Sequence, residues 1–354
     1  MKIKRKEKII IRADGSKRIG FGHLKRAILL SEHLFITRNI KTVLISKIDG
    51  EIIPLIKRSN VELVQVASSY STSDEIDFIH DKIKKINPRF FVLDVLESDI
   101  NPLYMNALNR MNIPIIAITD DSYMREINVD LILNGNPNQL EVDYGDQKGK
   151  YLLGPKYFLM SKDYANIRVS QPKKVKNLLL TLGGSDHNDL IFKTLEAIGG
   201  VNEIKELLII SSKAAGYVER LNNFLLKYNK KTTLHLDVPT LSPFFAKADI
   251  AITAGGNTLF ERIASGVPGA TICQLTRQME IADCFERLGV NFNIGFGLNL
   301  SATAIQEKIQ MFISDFESLL SQSKESRNIV DGKGLIRFCK WIDQLCERKD
   351  THGL

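Results

Sequence analysis

Cysteine is scarce in this chain, with four residues among 354 (Cys273, Cys284, Cys339 and Cys346). No two of them are spaced as CxxC, which excludes the common zinc-binding patterns and the thioredoxin-type redox motif. A disulfide-built scaffold is excluded by the same count, and a reducing compartment is the expectation. No apolar run approaches the ~20 residues that a membrane-spanning helix needs. The basic start MKIKRKEK runs into a short β-branched segment and not into an apolar h-region followed by a small-residue cleavage site. No signal peptide is therefore expected, and the sequence predicts a cytoplasmic protein. Arginine-rich tracts, zinc-finger spacing and basic strands interleaved with aromatics are also missing. The formal net charge of +7, from 48 basic against 41 acidic residues, thus points away from nucleic acid. It suits a protein that binds anionic small molecules such as nucleotides.

What is present is a soluble globular composition, 44% hydrophobic and 25% charged, in a chain long enough for two domains. Short β-branched runs at 9–12, 41–46, 61–66, 89–95, 113–120, 131–134 and 151–154 alternate with segments whose apolar residues recur at helical spacing. The pattern lapses at 162–176 into KDYANIRVSQPKKVK, then restarts with strand runs at 177–184, 206–212, 232–238, 249–256 and 269–275. An amphipathic stretch at 302–325 and a last helix carrying Trp341, the single tryptophan, close the chain. This βαβ alternation predicts two tandem Rossmann-like, doubly wound parallel-sheet domains. The expected division is 1–165, 166–330 and a C-terminal helix, 331–354, returning to the first domain. In such sheets ligands sit beyond the strand C-termini, and with two facing domains the cleft between them is the expected location.

Three strand-to-helix turns look chemical. The first, IIIRADGSKRIGFGHLKR, places Asp14 at a strand end, then Gly20 and Gly22, then His23 at the start of a helical pattern. Glycines here let backbone approach a ligand. A helix N-terminus disfavours imidazolium, so a lowered pKa and a neutral general base are expected. The competing reading makes His23 a helix cap. The second turn, TLGGSDHNDL, ends a strand in Gly183 and Gly184, with Ser185 and Asp186 leading into a helix. Bare backbone for a phosphate is one reading and an ordinary N-cap the other. The third, ITAGGNTLFERIASGVP, ends a strand in Gly255 and Gly256, and Asn257 and Thr258 open a helix. Glu261 lies one turn in, where a carboxylate is able to accept ribose hydroxyls; Thr258 with Glu261 also has the spacing of a capping box. Asp94, Asp120 and Asp121 end two further strands and face the same rim, with turn chemistry as the alternative. No metal ligand set is identified.

Those turns, in that order, resemble the UDP-2,4-diacetamido-2,4,6-trideoxy-β-L-altropyranose hydrolase family of pseudaminic acid biosynthesis and its spore-coat polysaccharide relatives, within the MurG-like GT-B superfamily. IRADGSKRIGFGHLKR, ITDDSYMREINVDLILNGNPN, YLLGPKYFLM, LLLTLGGSDHNDL and ADIAITAGGNTLFERIASGVP carry the likeness, over residues 9–296. The resemblance implies cleavage of a UDP-linked amino sugar by water with inversion, without a cofactor. His23 would be the catalytic group. Gly183, Gly184, Ser185, Gly255, Gly256, Asn257 and Thr258 would lie near the nucleotide, with Glu261 at the ribose. Asp14, Gly20, Gly22, Asp94, Asp121, Arg277 and Gln278 would lie on the substrate. Two departures stand out. The family's Asp-His-Tyr after the fourth strand is Asp94-Val95-Leu96 here, and its Asn-Gln is Arg277-Gln278. Leu96 offers no hydrogen bond, so the sugar-recognition half is expected to differ while the nucleotide half is retained. A glycosyltransferase on the same fold, and a nucleotide-sugar-binding protein without turnover that partners sugar-pathway enzymes, are the two other readings.

Overall fold

The computed structural model describes residues 7–16, 20–48, 53, 56, 59–95, 102–120, 128–143, 150–167, 174–183, 186 and 189–351. The chain divides into two compact units, residues 1–160 with 334–354, and 161–333.

The first unit is built on a seven-stranded sheet. Its strands are β1 (Lys8–Ala13), β2 (Lys41–Ser46), β3 (Val61–Gln65), β4 (Phe91–Asp94), β5 (Ile115–Ile118), β6 (Leu131–Asn134) and β7 (Lys150–Leu153). Their order is β3-β2-β1-β4-β5-β6-β7, and the pairings are parallel, with Ile10 opposite both Val43 and Phe91. Because helices cover both faces, the central strands carry apolar residues on both sides, and Ile9, Ile10 and Ile11 are all fully buried. One face packs on the helix Gly22–Arg38 through Leu24, Ala27, Leu30 and Leu34. The other packs on the helices Thr72–Ile86 and Pro102–Asn109 through Ile79, Ile83, Met105 and Leu108. The last helix, Gly334–Thr351, belongs to this unit: Leu335, Phe338, Cys339 and Ile342 enter the same core as Leu24 and Leu34. Arg38 and Asp343 add a two-pronged ion pair at 2.7 and 2.6 Å.

The second unit has a six-stranded sheet of β8 (Asn177–Thr181), β9 (Glu206–Ser211), β10 (Lys231–Leu236), β11 (Ile250–Ala254), β12 (Gly269–Cys273) and β13 (Phe292–Phe296), ordered β10-β9-β8-β11-β12-β13. These pairings are parallel as well. Two details depart from the sequence pattern. β13 gives no apolar run, because Asn293 and Gly295 interrupt it. It pairs with β12 through an irregularity between Thr271 and Ile272, where Gly295 takes a φ of 116°. The stretch 302–325 is two helices, Ala302–Ser314 and Phe316–Ile329, broken at Asp315, whose side chain accepts the Ser318 N–H at 2.9 Å.

In both units the strand order reverses between the first strand and the one beyond the crossover, β1 beside β4 and β8 beside β11. Such a reversal opens a crevice at the strand C-termini.

Candidate active site

At the first reversal, the helix Gly22–Arg38 starts after β1 and Asp94 ends β4. The loop between β1 and that helix is pinched by Ser16 and Gly20, each N–H donating to the other's carbonyl at 3.3 and 2.8 Å. Gly20 takes a φ of 82°, which a side chain would strain. Gly22 is the first helical residue, and no side chain caps this helix. His23 is thus not a cap. Its Nδ1 lies 2.7 Å from Asp94 Oδ1, across 71 positions of sequence.

Arg26, one turn along the helix, completes the cluster. Its Nε donates to Asp94 Oδ2 at 2.8 Å, one terminal nitrogen to Asp94 Oδ1 at 2.6 Å and the other to Asp120 Oδ1 at 3.0 Å. Asp94 is fully buried. Burial pushes its carboxyl up, but the Arg26 charge and then His23 overcome this and hold it at about 2. An ionised Asp94 accepts from Nδ1–H, which leaves the Nε2 lone pair as the basic site of a neutral His23. Arg26 sits 3.2 Å from the same Nδ1. A protonated Nδ1 accepts nothing from it, so that approach is a charge against the ring and not a hydrogen bond.

The expectation of a lowered His23 pKa is corrected. Burial does act downward, but the Asp94 charge and hydrogen bond outweigh it, and the value rises above the ordinary 6.5. The helix N-terminus is a partial charge, whereas Asp94 is a full one at contact distance. The pattern around His23 gave no sign of Arg26, since its partner lies 68 residues away.

Asp14 belongs to a neighbouring buried cluster. It pairs with Arg12 and accepts the Lys47 N–H at 2.6 Å, while Arg12 also donates to Glu75 at 2.8 Å. Glu75 is further bonded by Tyr104, 3.3 Å away, and by Lys47. These groups satisfy one another where β1 and β2 end. Asp121, Gly184, Ser185 and Leu96 lie outside the described residues.

At the second reversal, Gly183 follows β8 with a φ of 84°, and a side chain there would meet no atom within 4 Å. In the helix after it, Leu190–Gly199, the N-cap residue is Asp189, whose side chain makes no capping bond. Asp186 is therefore not the N-cap that the sequence suggested, but its carboxylate accepts the N–H groups of Leu190 and Ile191 at 3.0 and 2.7 Å from three residues before it. The helix after β11, Asn257–Ser265, differs: Gly256 is its N-cap and no side chain caps it. Thr258 donates instead to the Ala254 carbonyl at 3.3 Å, so the Thr258–Glu261 capping box does not form. Burial, and then the Glu261 charge, raise the Tyr164 hydroxyl above its ordinary value of 10.0.

Gln278 presses on this turn. Its Oε1 accepts the backbone N–H groups of Gln274 and Leu275 at 2.8 and 3.3 Å, which fixes the amide and turns Nε2 toward Gly256. A methyl group on Gly255 would lie 2.7 Å from Gln278 Cβ. Gly255 is therefore required by packing. Arg277 is exposed on the same helix, Thr276–Arg287. Behind the turn, Arg262 is fully buried and donates to the Val267 and Val290 carbonyls and to Asn291 at 3.0, 3.3 and 2.8 Å.

Comparison with known proteins follows this geometry. The chain is 25% identical over 287 residues to an uncharacterised protein of Methanocaldococcus jannaschii, covering 78% of this chain and 57% of that protein. It is 30% identical over 202 residues to the spore coat polysaccharide biosynthesis protein SpsG of Bacillus subtilis, covering 55% and 59%. The chain thus spans under three fifths of the length of either. It is 19% identical over 289 residues to the UDP-2,4-diacetamido-2,4,6-trideoxy-β-L-altropyranose hydrolase of Campylobacter jejuni, covering 80% and 97%. No protein-family model matches. Among solved structures, MurG of Acinetobacter baumannii superposes with a TM-score of 0.72 at 13% identity, covering 96% of this chain and all of that one. Phytolacca americana UGT2, solved with UDP-2-fluoroglucose and pterostilbene, gives 0.65 at 11%, covering 98% and 100%. The fold is GT-B. Homology to SpsG and to the hydrolase is weak but extends along much of the chain. Among the described residues no helix is long and apolar enough to cross a membrane.

Proposed function

We propose that this protein is a nucleotide-sugar hydrolase that cleaves the anomeric C–O bond of a UDP-linked amino or deoxy sugar. The observation that carries the reading is the His23–Asp94 pair at the reversal of the first sheet. A buried carboxylate orients the imidazole through Nδ1, and Nε2 is left as a base. In the reaction, Nε2 takes a proton from water as the water oxygen bonds to the anomeric carbon. The bond from that carbon to the diphosphate oxygen breaks, and UDP departs with the electron pair. The imidazolium so formed is stabilised by Asp94, which Arg26 keeps ionised.

The second unit supplies the nucleotide side of the proposal. The uncapped first turn of Asn257–Ser265 and the Gln278 amide offer donors to the leaving diphosphate. Glu261 is assigned to the ribose. Distant homology to SpsG and to the Campylobacter hydrolase supports a role in nonulosonic acid or surface polysaccharide synthesis. Transfer to a sugar acceptor is the second reading, favoured by the likeness to glycosyltransferases. In that case Nε2 deprotonates an acceptor hydroxyl.

The test is UDP release from a panel of UDP-amino sugars, with and without acceptors, in H2(18)O. Release without acceptor, with the label in the free sugar, supports hydrolysis. Release that requires an acceptor supports transfer. UDP binding with no release under either condition rejects both.

A further inference from the structure

Arg26 is held by two carboxylates, and the reaction proposed for His23 uses only Asp94. The other, Asp120, lies two residues beyond β5. Its backbone is fixed by β6 and the turn after it. The Thr119 N–H donates to the Leu133 carbonyl at 3.0 Å, and Asn136 Nδ2 donates to the Asp120 carbonyl at 2.7 Å. Asn136 is held in turn, its N–H donating to Asn134 Oδ1 at 3.0 Å. Both asparagines are buried, whereas the Asp120 side chain is 50% exposed. The carboxylate is thus placed by backbone bonds in which it takes no part.

Arg26 divides its donors between the two anions. Nε and one terminal nitrogen grip Asp94, and the other terminal nitrogen grips Asp120 at 3.0 Å. The nitrogen on Asp94 Oδ1 also lies 3.5 Å from Asp120 Oδ2 and 3.2 Å from His23 Nδ1. It therefore stands between the outer carboxylate and the ring. Among the described residues, Asp94, Arg26 and Asp120 are the charged groups that act on His23. While the ring is neutral, two anions face one cation. Once Nε2 takes a proton, two anions face two cations. Without Asp120, Asp94 alone would serve both the guanidinium and the imidazolium, which already share its Oδ1.

We propose that Asp120 is a positioning residue for the base: it neutralises and fixes Arg26 from the solvent side, so that the Asp94 charge is left for the imidazolium of His23. This rests on the reading of His23 as the base. An anion favours imidazolium, so the effect of Asp120 on the ring is upward. A unit charge at roughly 7 Å beside solvent moves a neighbouring midpoint by about half to one pH unit.

The experiment measures the His23 midpoint by histidine-selective 15N titration in the wild type, Asp120→Asn and Asp120→Glu. It is paired with the pH profile of UDP release from the UDP-amino sugar that the wild type cleaves fastest. Asparagine preserves the size of a half-exposed side chain, and a thermal melt of each variant confirms folding. The expected result in Asp120→Asn is a midpoint lower by about half to one pH unit, largely restored in Asp120→Glu, with KM within about twofold of the wild type. The acid limb of kcat should move down with the midpoint, and the plateau should fall about threefold because the base is weaker. An unchanged midpoint overturns the proposal whatever the rate does. A raised KM with an unchanged midpoint makes Asp120 a substrate contact instead. If the midpoint falls and the acid limb does not follow it, the effect of Asp120 on the ring stands and His23 is not the base.

Discussion

Replacing Asp94 by asparagine removes one charge at the centre of the first unit's cluster while preserving size. In the wild type, three forces act on the His23 ring besides Asp94: burial and the Arg26 charge oppose protonation, and Asp120 favours it. Asp120 is half exposed and tied to Arg26, so solvent weakens its pull. Without Asp94, the balance turns, and the His23 midpoint should fall from above 6.5 to below it. Stability changes too. Asp94 is held at about 2 against an ordinary 3.8, a gap worth about 2 kcal/mol. Its folded value is the lower one, so that stability is present above pH ~4 and is lost as pH falls through about 2. The variant lacks this acid limb. It also leaves the buried Arg26 with Asp120 as its one carboxylate partner among those described, at a cost of about 3 kcal/mol. The assay is a histidine-selective 15N titration from pH 5 to 9, paired with urea unfolding at pH 7. A His23 midpoint in Asp94→Asn at or above the wild-type value would refute the assignment of Asp94 as the group that tunes the ring.

Gly255→Ala forces a methyl group against Gln278 Cβ, 2.7 Å away. It should destabilise the second unit by about 1–3 kcal/mol and weaken UDP at least tenfold, read by urea unfolding and calorimetry. Phe338→Ala opens a cavity in the first unit's core, where the last helix packs. A loss of about 3–5 kcal/mol is expected, and unchanged unfolding would show that this helix is not part of that core. Arg262→Met removes three donors from buried acceptors, Val267, Val290 and Asn291, and should cost about 2–4 kcal/mol in urea unfolding.

The doubly wound fold was legible because buried parallel strands read as unbroken apolar runs. Ile9 to Ile11 and Phe91 to Leu93 need no alternation to be found. β13 escaped for the opposite reason: Asn293 and Gly295 make it look like a loop, and only pairing with β12 defines it. His23 and Asp94 were each visible as a strand-rim residue. Their contact was not, since it depends on β1 and β4 being neighbours despite two intervening strands. Arg26 looked like one more helical cation beside Lys25, and only Asp94 and Asp120 distinguish it. Tyr164 sat in a stretch read as linker, with nothing local to reveal that its hydroxyl accepts from Thr240 and Leu241. The direction of the His23 shift was misjudged because a local helix effect was weighed without its distant carboxylate.

The division of labour between the units is tested most directly by His23→Ala, measured for UDP release and for UDP affinity side by side. If His23 is the base and the nucleotide is held by the second unit, release should fall by about 10²–10⁴-fold while the Kd for UDP stays within about twofold. Release retained at wild-type rate would contradict the central claim.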